Sequence, residues 1–162
     1  MIRCAKKREY STLSQLWLRV SIHAHHFIPT KYWTDNVHDM EILYLPQADN
    51  WIYTKKNKIY GFISICDGYI AALFVDIPYQ RHGIGKALLD FVKDKYTVNL
   101  TLNVYKENLQ AIYFYRKNGF IIKEETTDIQ TRHQEYIMMQ YCNNNIFLMS
   151  GLYIGCFFLL KY

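Results

Sequence analysis

The stretch from Asp67 to Val92 constrains the fold most. Tyr69-Ile70-Ala71-Ala72-Leu73-Phe74-Val75 is an unbroken apolar run, preceded by Asp67-Gly68 and followed by Asp76-Ile77-Pro78. Such a run behind a hairpin dipeptide reads as a buried strand. Gln80-Arg81-His82-Gly83-Ile84-Gly85-Lys86 comes next, and Ile84, Ala87, Leu88, Phe91 and Val92 then recur at i, i+3, i+4, i+7 and i+8, the helical period. A strand, a glycine-bearing loop and a helix in that order demand a sheet with a helix on its face. The loop also gathers unpaired backbone N–H groups and the positive end of a helix dipole at one point, which makes an anion site.

The flanking pattern extends this unit into an α/β fold built on a mixed sheet. Ile2–Ala5 reads as a short strand, and Leu13, Leu16, Trp17, Val20 and Ala24 mark an amphipathic helix from about Glu9 to Ala24. Trp33, Val37, Met40 and Tyr44 mark a second helix, between Pro29 and Pro46. Trp51–Tyr53 and Ile59–Ile65 flank the polar turn Lys55–Lys58 as a hairpin, and the Asp67-Gly68 turn adds Tyr69–Val75 as a third antiparallel strand. Val98–Val104 alternates as a strand, and parallel pairing with Tyr69–Val75 would close a right-handed crossover unit. Asn108 caps a short helix to Asn118, Gly119 supplies its left-handed end, and Phe120–Thr126 and Gln134–Tyr141 are the last strands. The expected order is β-α-α-β-β-β-α-β-α-β-β.

Composition narrows the class. With 162 residues, 51% of them apolar and 20% charged, the chain suits one globular domain and argues against disorder or a polytopic membrane protein. A net charge of +5 would suit an anionic ligand but is too small to indicate nucleic acid. Cys4, Cys66, Cys142 and Cys156 form no C-x-x-C motif, and the basic start Met1–Arg8 leads to Glu9 and Tyr10 with no apolar run. Reduced thiols, a cytoplasmic location and no metal site are therefore expected; the His23, His25, His26 cluster has no carboxylate or thiol beside it. Ile146–Leu160 is an uncharged run that would reach about 22 Å as a helix, short of a ~30 Å hydrocarbon core. A tail over 142–162, packed on the domain or on a second copy, is expected in place of a membrane span.

The loop excludes two nucleotide motifs. Position 80 is Gln and Ala87 follows Lys86, so the G-x-x-x-x-G-K-[ST] phosphate loop fails, and Leu88 stands where the dinucleotide fingerprint needs its third glycine. Gln80 to Gly85 instead fits Q/R-x-x-G-x-G/A. Asn108, Ala111, Tyr115, Gly119 and Phe120 stand in register with N-x-x-A-x-x-x-Y-x-x-x-G-F. On these two motifs the chain resembles the GNAT superfamily of acetyl-CoA-dependent N-acetyltransferases over residues 1–141. Leu16-Trp17, the segment Ala24–Ile28, Tyr32-Trp33 and Ala71–Val75 further resemble the small bacterial YiaC-type protein N-lysine acetyltransferases.

The resemblance implies a set of roles. Backbone of Leu73, Phe74 and Val75 would pair with the pantetheine arm of acetyl-CoA. The loop Gln80, Arg81, His82, Gly83, Ile84, Gly85, Lys86 would hold the pyrophosphate, chiefly through N–H groups, and Asn108 and Tyr115 would complete the cofactor site. Tyr115 stands at the general-acid position, where a phenol near pKa 10 suits a departing thiolate. Asn103 stands where many members carry Glu, and an amide cannot take up a proton. It could hold a water or a purely structural place in the strand, and His25, between two helices that border the acceptor groove in the family, becomes the leading base. The acceptor would be a primary amine, a protein lysine side chain or a small amine; a non-catalytic CoA-binding module is the rival reading. A monomer or homodimer is expected.

Overall fold

In the computed structural model, residues 1–142 are described, and the expected order of elements is present. Strand β1 (Ile2–Cys4) leads through a 3-10 turn to helix α1 (Tyr10–Ala24) and helix α2 (Thr30–Asp39). Strands β2 (Asp49–Lys55), β3 (Lys58–Cys66) and β4 (Tyr69–Val75) follow, then helix α3 (Ile84–Lys95), strand β5 (Leu100–Tyr105), helix α4 (Leu109–Lys117) and strands β6 (Ile121–Thr127) and β7 (Gln134–Gln140). They form one seven-stranded sheet in the order β1-β2-β3-β4-β5-β7-β6, with β4 and β5 parallel and every other neighbour antiparallel. The tail expected over 142–162 lies, from residue 143 on, outside the described residues.

Both hairpin turns have the conformation their residues favour. Lys56 and Asn57 take φ of 49° and 60°, and Asp67 and Gly68 take 47° and 81°, so each pair turns left-handed and matches the strands' twist. At Gly68 a side chain would also meet the Asn99 carbonyl at 2.8 Å.

The two faces of the sheet have separate cores. Leu13, Leu16, Trp17 and Val20 of α1 and Trp33 of α2 pack with Phe62 and Phe74 on one side. Leu88, Leu89 and Val92 of α3 and Ile112 and Tyr115 of α4 pack with Ile63, Ile65 and Leu102 on the other. The consecutive residues Phe62 and Ile63 thus serve opposite faces, as the pleat requires. The second helix departs from expectation: α2 stops at Asp39 and the chain widens into a π turn over Met40–Tyr44 before a 3-10 turn at Leu45–Gln47. Pro46 cannot continue the helical ladder, and the wider turn, with about five residues per step, brings both Met40 and Leu45 into the core.

Candidate active site

The parallel pair β4/β5 is joined only at its start. Tyr69 pairs with Thr101 and no further register is kept, so the two strands diverge towards their C-terminal ends. The cause lies in β4. Ser64 pairs with Ala72 and Ile65 with Ile70, which leaves Ala71 as an extra residue, and such a bulge bends its strand. Three consecutive buried residues, Ile70, Ala71 and Ala72, are its trace in the sequence.

The divergence exposes an edge of polar backbone. The Asp76 N–H donates to the Tyr60 carbonyl across β3, and antiparallel pairs alternate, so Phe74 also faces β3 while the backbone groups of Leu73 and Val75 face the gap. The Val75 carbonyl accepts from the Gln80 side chain at 3.0 Å. A cavity of about 100 Å³ lies in the wedge, bordered by Leu73 and Phe74 of β4, Asn103 and Tyr105 of β5, and by His25, Asn108, Tyr115 and Glu135.

The glycine loop sits at the end of β4. Asp76 caps it by accepting from the Ile77 N–H at 3.0 Å and from Arg19 Nε of α1 at 2.9 Å; the Arg19 guanidinium holds the Asp76 carboxyl below its usual range. Arg81 and Gly83 take positive φ, 62° and 81°, and turn the chain into α3. The N–H groups of Gly83, Ile84, Gly85 and Lys86 donate to no described residue, leaving an anion cradle at the helix start. The side chains are partly engaged: His82 Nδ1 donates to the Gln80 carbonyl at 2.7 Å and Lys86 pairs with Asp90 one turn on.

Asn108 links this region to α1. Its Oδ1 accepts from the Ala111 N–H at 3.1 Å as the cap of α4, so its Nδ2 is turned to His25 Nε2, 3.1 Å away. The cap therefore selects the imidazole tautomer: Nε2 accepts and Nδ1 carries the proton. His25 is 5% exposed and stacks on Trp33 at 5.1 Å, and burial pushes its pKa down to about 4 from the ordinary 6.5. Below pH 6.5 the unfolded chain binds a proton at this site that the folded chain refuses until about pH 4, so stability drops as pH falls across that window. The full loss is about 3 kcal/mol. We expect His25→Gln to unfold with a shallower pH dependence than the parent between these values in urea titrations. Equal slopes would show that His25 is not held neutral.

Tyr115 and Asn103 both border the cavity. Tyr115 of α4 is 8% exposed, packs edge-on against Phe120 at 5.4 Å, and makes no hydrogen bond to a described residue; burial raises its pKa. Asn103 Nδ2 donates to Glu135 Oε1 of β7 at 2.7 Å. Tyr105 donates to the buried Asp128 at 2.6 Å.

Of the residues singled out from the sequence, Leu73, Phe74, Asn103, Asn108, Tyr115 and His25 border one cavity, whereas Val75 and the loop 80–86, which follow at the end of β4, do not line it. Glu135 was not among them. A carboxylate just before the apolar run Tyr136–Met139 was its only sequence signal, beside an amide at 103 that cannot act as a base. Among the described residues no three His, Cys, Asp or Glu side chains gather as a metal site, and no helix is long and apolar enough to cross a membrane.

A mixed sheet parted between two parallel strands, with an anion cradle at one end of the gap and a phenol inside it, defines an acyl-transfer domain. Residues 20–141 match the acetyltransferase (GNAT) domain, and the chain belongs to that family: it is an N-acetyltransferase of the GNAT type. It is 37% identical over 139 residues to the peptidyl-lysine N-acetyltransferase YiaC of Escherichia coli, covering 85% of this chain and 94% of YiaC. The solution structure of apo YjaB from Escherichia coli superposes with a TM-score of 0.75 at 25% identity, over 86% of this chain and 95% of YjaB. The fold also matches yncA from Salmonella typhimurium, solved with its cofactor acetyl-CoA, at a TM-score of 0.66 and 13% identity over 93% of this chain and 98% of that one.

Proposed function

We propose that this enzyme transfers acetyl from acetyl-CoA to the side-chain amine of a lysine in a protein or peptide, with Tyr115 as general acid. The observation that carries the reading is the parting of β4 from β5, which leaves strand backbone unpaired beside a buried phenol. The lysine acceptor is supported by the likeness to YiaC across most of both chains.

Bound acetyl-CoA supplies an acetyl group activated as a thioester. The N–H groups of Gly83, Ile84, Gly85 and Lys86 hold the pyrophosphate, with Gln80, Arg81 and His82 shaping the loop. The backbone of Leu73 and Val75 pairs with the pantetheine amides, as an added strand would, and Phe74 walls the arm. Tyr115 stays neutral at working pH because burial disfavours the phenolate, so its O–H is available to the departing sulfur. Asn108 and His25 act as a pair. The acceptor nitrogen of His25 already receives the Asn108 N–H, and this bond fixes the start of α4 and with it Tyr115. His25 is thus better suited to holding α4 than to taking the amine's proton. The protein works in the cytoplasm, where acetyl-CoA and unmodified lysines meet.

The test is release of CoA thiol with a lysine peptide whose α-amine is blocked, with a polyamine and an amino sugar as competing acceptors. We expect the peptide to be used best and to gain one acetyl group at lysine by mass spectrometry. Preference for a small amine would overturn the acceptor assignment. Acetyl-CoA binding with no thiol release from any amine would make the protein a binding module.

A further inference from the structure

Transfer to an amine needs a group that takes a proton, because lysine near neutrality is an ammonium with no lone pair to attack. The described residues bordering the cavity restrict the choice. Asn103 and Asn108 are amides, His25 has its acceptor nitrogen occupied, Tyr105 donates to Asp128, and Tyr115 is already assigned above as the acid. Glu135 is the one carboxylate among those lining residues.

We propose that the Glu135 carboxylate is the proton acceptor for the attacking amine, and that Asn103 is the positioning residue that aims it into the wedge. The assignment rests on the acetyltransfer reading above. Glu135 lies opposite Tyr105 in the β5/β7 ladder and is 2% exposed, yet it borders the cavity. Asn103 precedes Tyr105 by two positions on the same strand face and reaches across to donate to Oε1 at 2.7 Å. This donor fixes the direction of the carboxylate, whereas a second carboxylate at position 103 would repel it. A carboxylate accepts about four hydrogen bonds, so the bond from Asn103 does not exhaust it. The ionisable groups near Glu135 include Tyr69 of β4 and Tyr105 of β5. The two phenols have raised pKa values and stay neutral across the working range.

The protons balance. The ammonium gives one proton to Glu135, directly or through one water in the cavity. The freed nitrogen forms the C–N bond as the C–S bond breaks, the sulfur takes the Tyr115 proton, and the phenolate takes the second proton from nitrogen. Glu135 returns its proton to solvent as the product leaves.

Glu135→Gln keeps size and removes the base. We expect kcat/KM with the lysine peptide at neutral pH to fall roughly 10²-fold, with acetyl-CoA affinity by calorimetry within about twofold of the parent. The pH profile should also change. The parent is flat near neutrality, whereas the variant climbs about tenfold per pH unit towards the amine's own pKa of about 10.4, since only amine already neutral can react. The double variant Asn103→Glu with Glu135→Gln reverses the pair, placing the carboxylate on β5 and the amide on β7, and should recover at least tenfold of the loss. An unchanged profile in Glu135→Gln, or lost acetyl-CoA binding together with lost turnover, would overturn the assignment. Should Glu135→Gln not fold, the double variant decides: acetyl-CoA binding without turnover overturns the proposal, and turnover with a flat profile supports it. If the acetyltransfer reading itself is wrong, the parent already releases no thiol, and the assignment falls with it.

Discussion

Tyr115→Phe lowers kcat roughly 10²-fold or more and leaves acetyl-CoA affinity close to that of the parent. The change removes one oxygen and keeps the ring, so the edge contact with Phe120 at 5.4 Å and that with Phe114 at 5.2 Å survive. Because the hydroxyl makes no hydrogen bond to a described residue, its loss orphans no protein partner and the fold loses little. On the proposed mechanism, what disappears is the proton that meets the sulfur as the C–S bond breaks. The defect therefore depends on the leaving group. It should be large with acetyl-CoA and shrink with a thioester whose thiol is more acidic, because that thiolate departs without help. Single-turnover measurements at saturating acetyl-CoA and peptide isolate this step. Equal turnover in mutant and parent would remove Tyr115 from the chemistry and leave it as a groove aromatic.

Gly85→Val abolishes the rise in melting temperature that CoA induces, with the unliganded protein folded as before. A β-carbon built at Gly85 meets Phe114 Cζ at 3.6 Å and Val75 Cγ2 at 3.7 Å, ordinary contact distances, so Gly85→Ala should be accommodated. The two further methyl groups of Val extend about 1.5 Å beyond that point and crowd the gap between the end of β4 and α4, where the cofactor must pass from cavity to loop. Gly83 behaves differently. A β-carbon there meets nothing within 4 Å, but φ is +81°, so a substitution strains the backbone by about 1–2 kcal/mol whatever the space. Calorimetry with CoA checks the prediction. Parent-like affinity in Gly85→Val would exclude the loop from the site.

The order of elements was legible because each is encoded locally. Leu13, Leu16, Trp17 and Val20 at helical spacing are all buried in α1, Asp67-Gly68 turns left-handed, and Asn108 caps α4 through its own side chain. The π turn at Met40–Tyr44 was not legible. Met40 falls on the helical stripe of α2, and only the need to seat Leu45 as well, ahead of a proline, selects the wider turn. The bulge at Ala71 was hidden for a related reason: three buried residues in a row also suit a strand covered on both faces, and the pairing with Ser64 and Ile65 distinguishes the two cases.

The sequence by itself determined the fold family, the glycine turn into α3 and the presence of a phenol on α4, since glycine conformations, caps and hydrophobic periods act over a few residues. The tertiary structure alone decided which polar groups share the cavity. His25 meets Asn108 from 83 positions away and Asn103 meets Glu135 from 32, and each meeting depends on how α1 packs or how β7 registers on β5. Burial then acts on these pairs. It strips water from His25 and from Tyr115, holding the imidazole deprotonated and the phenol protonated, and that desolvation exists only once both faces of the sheet are covered.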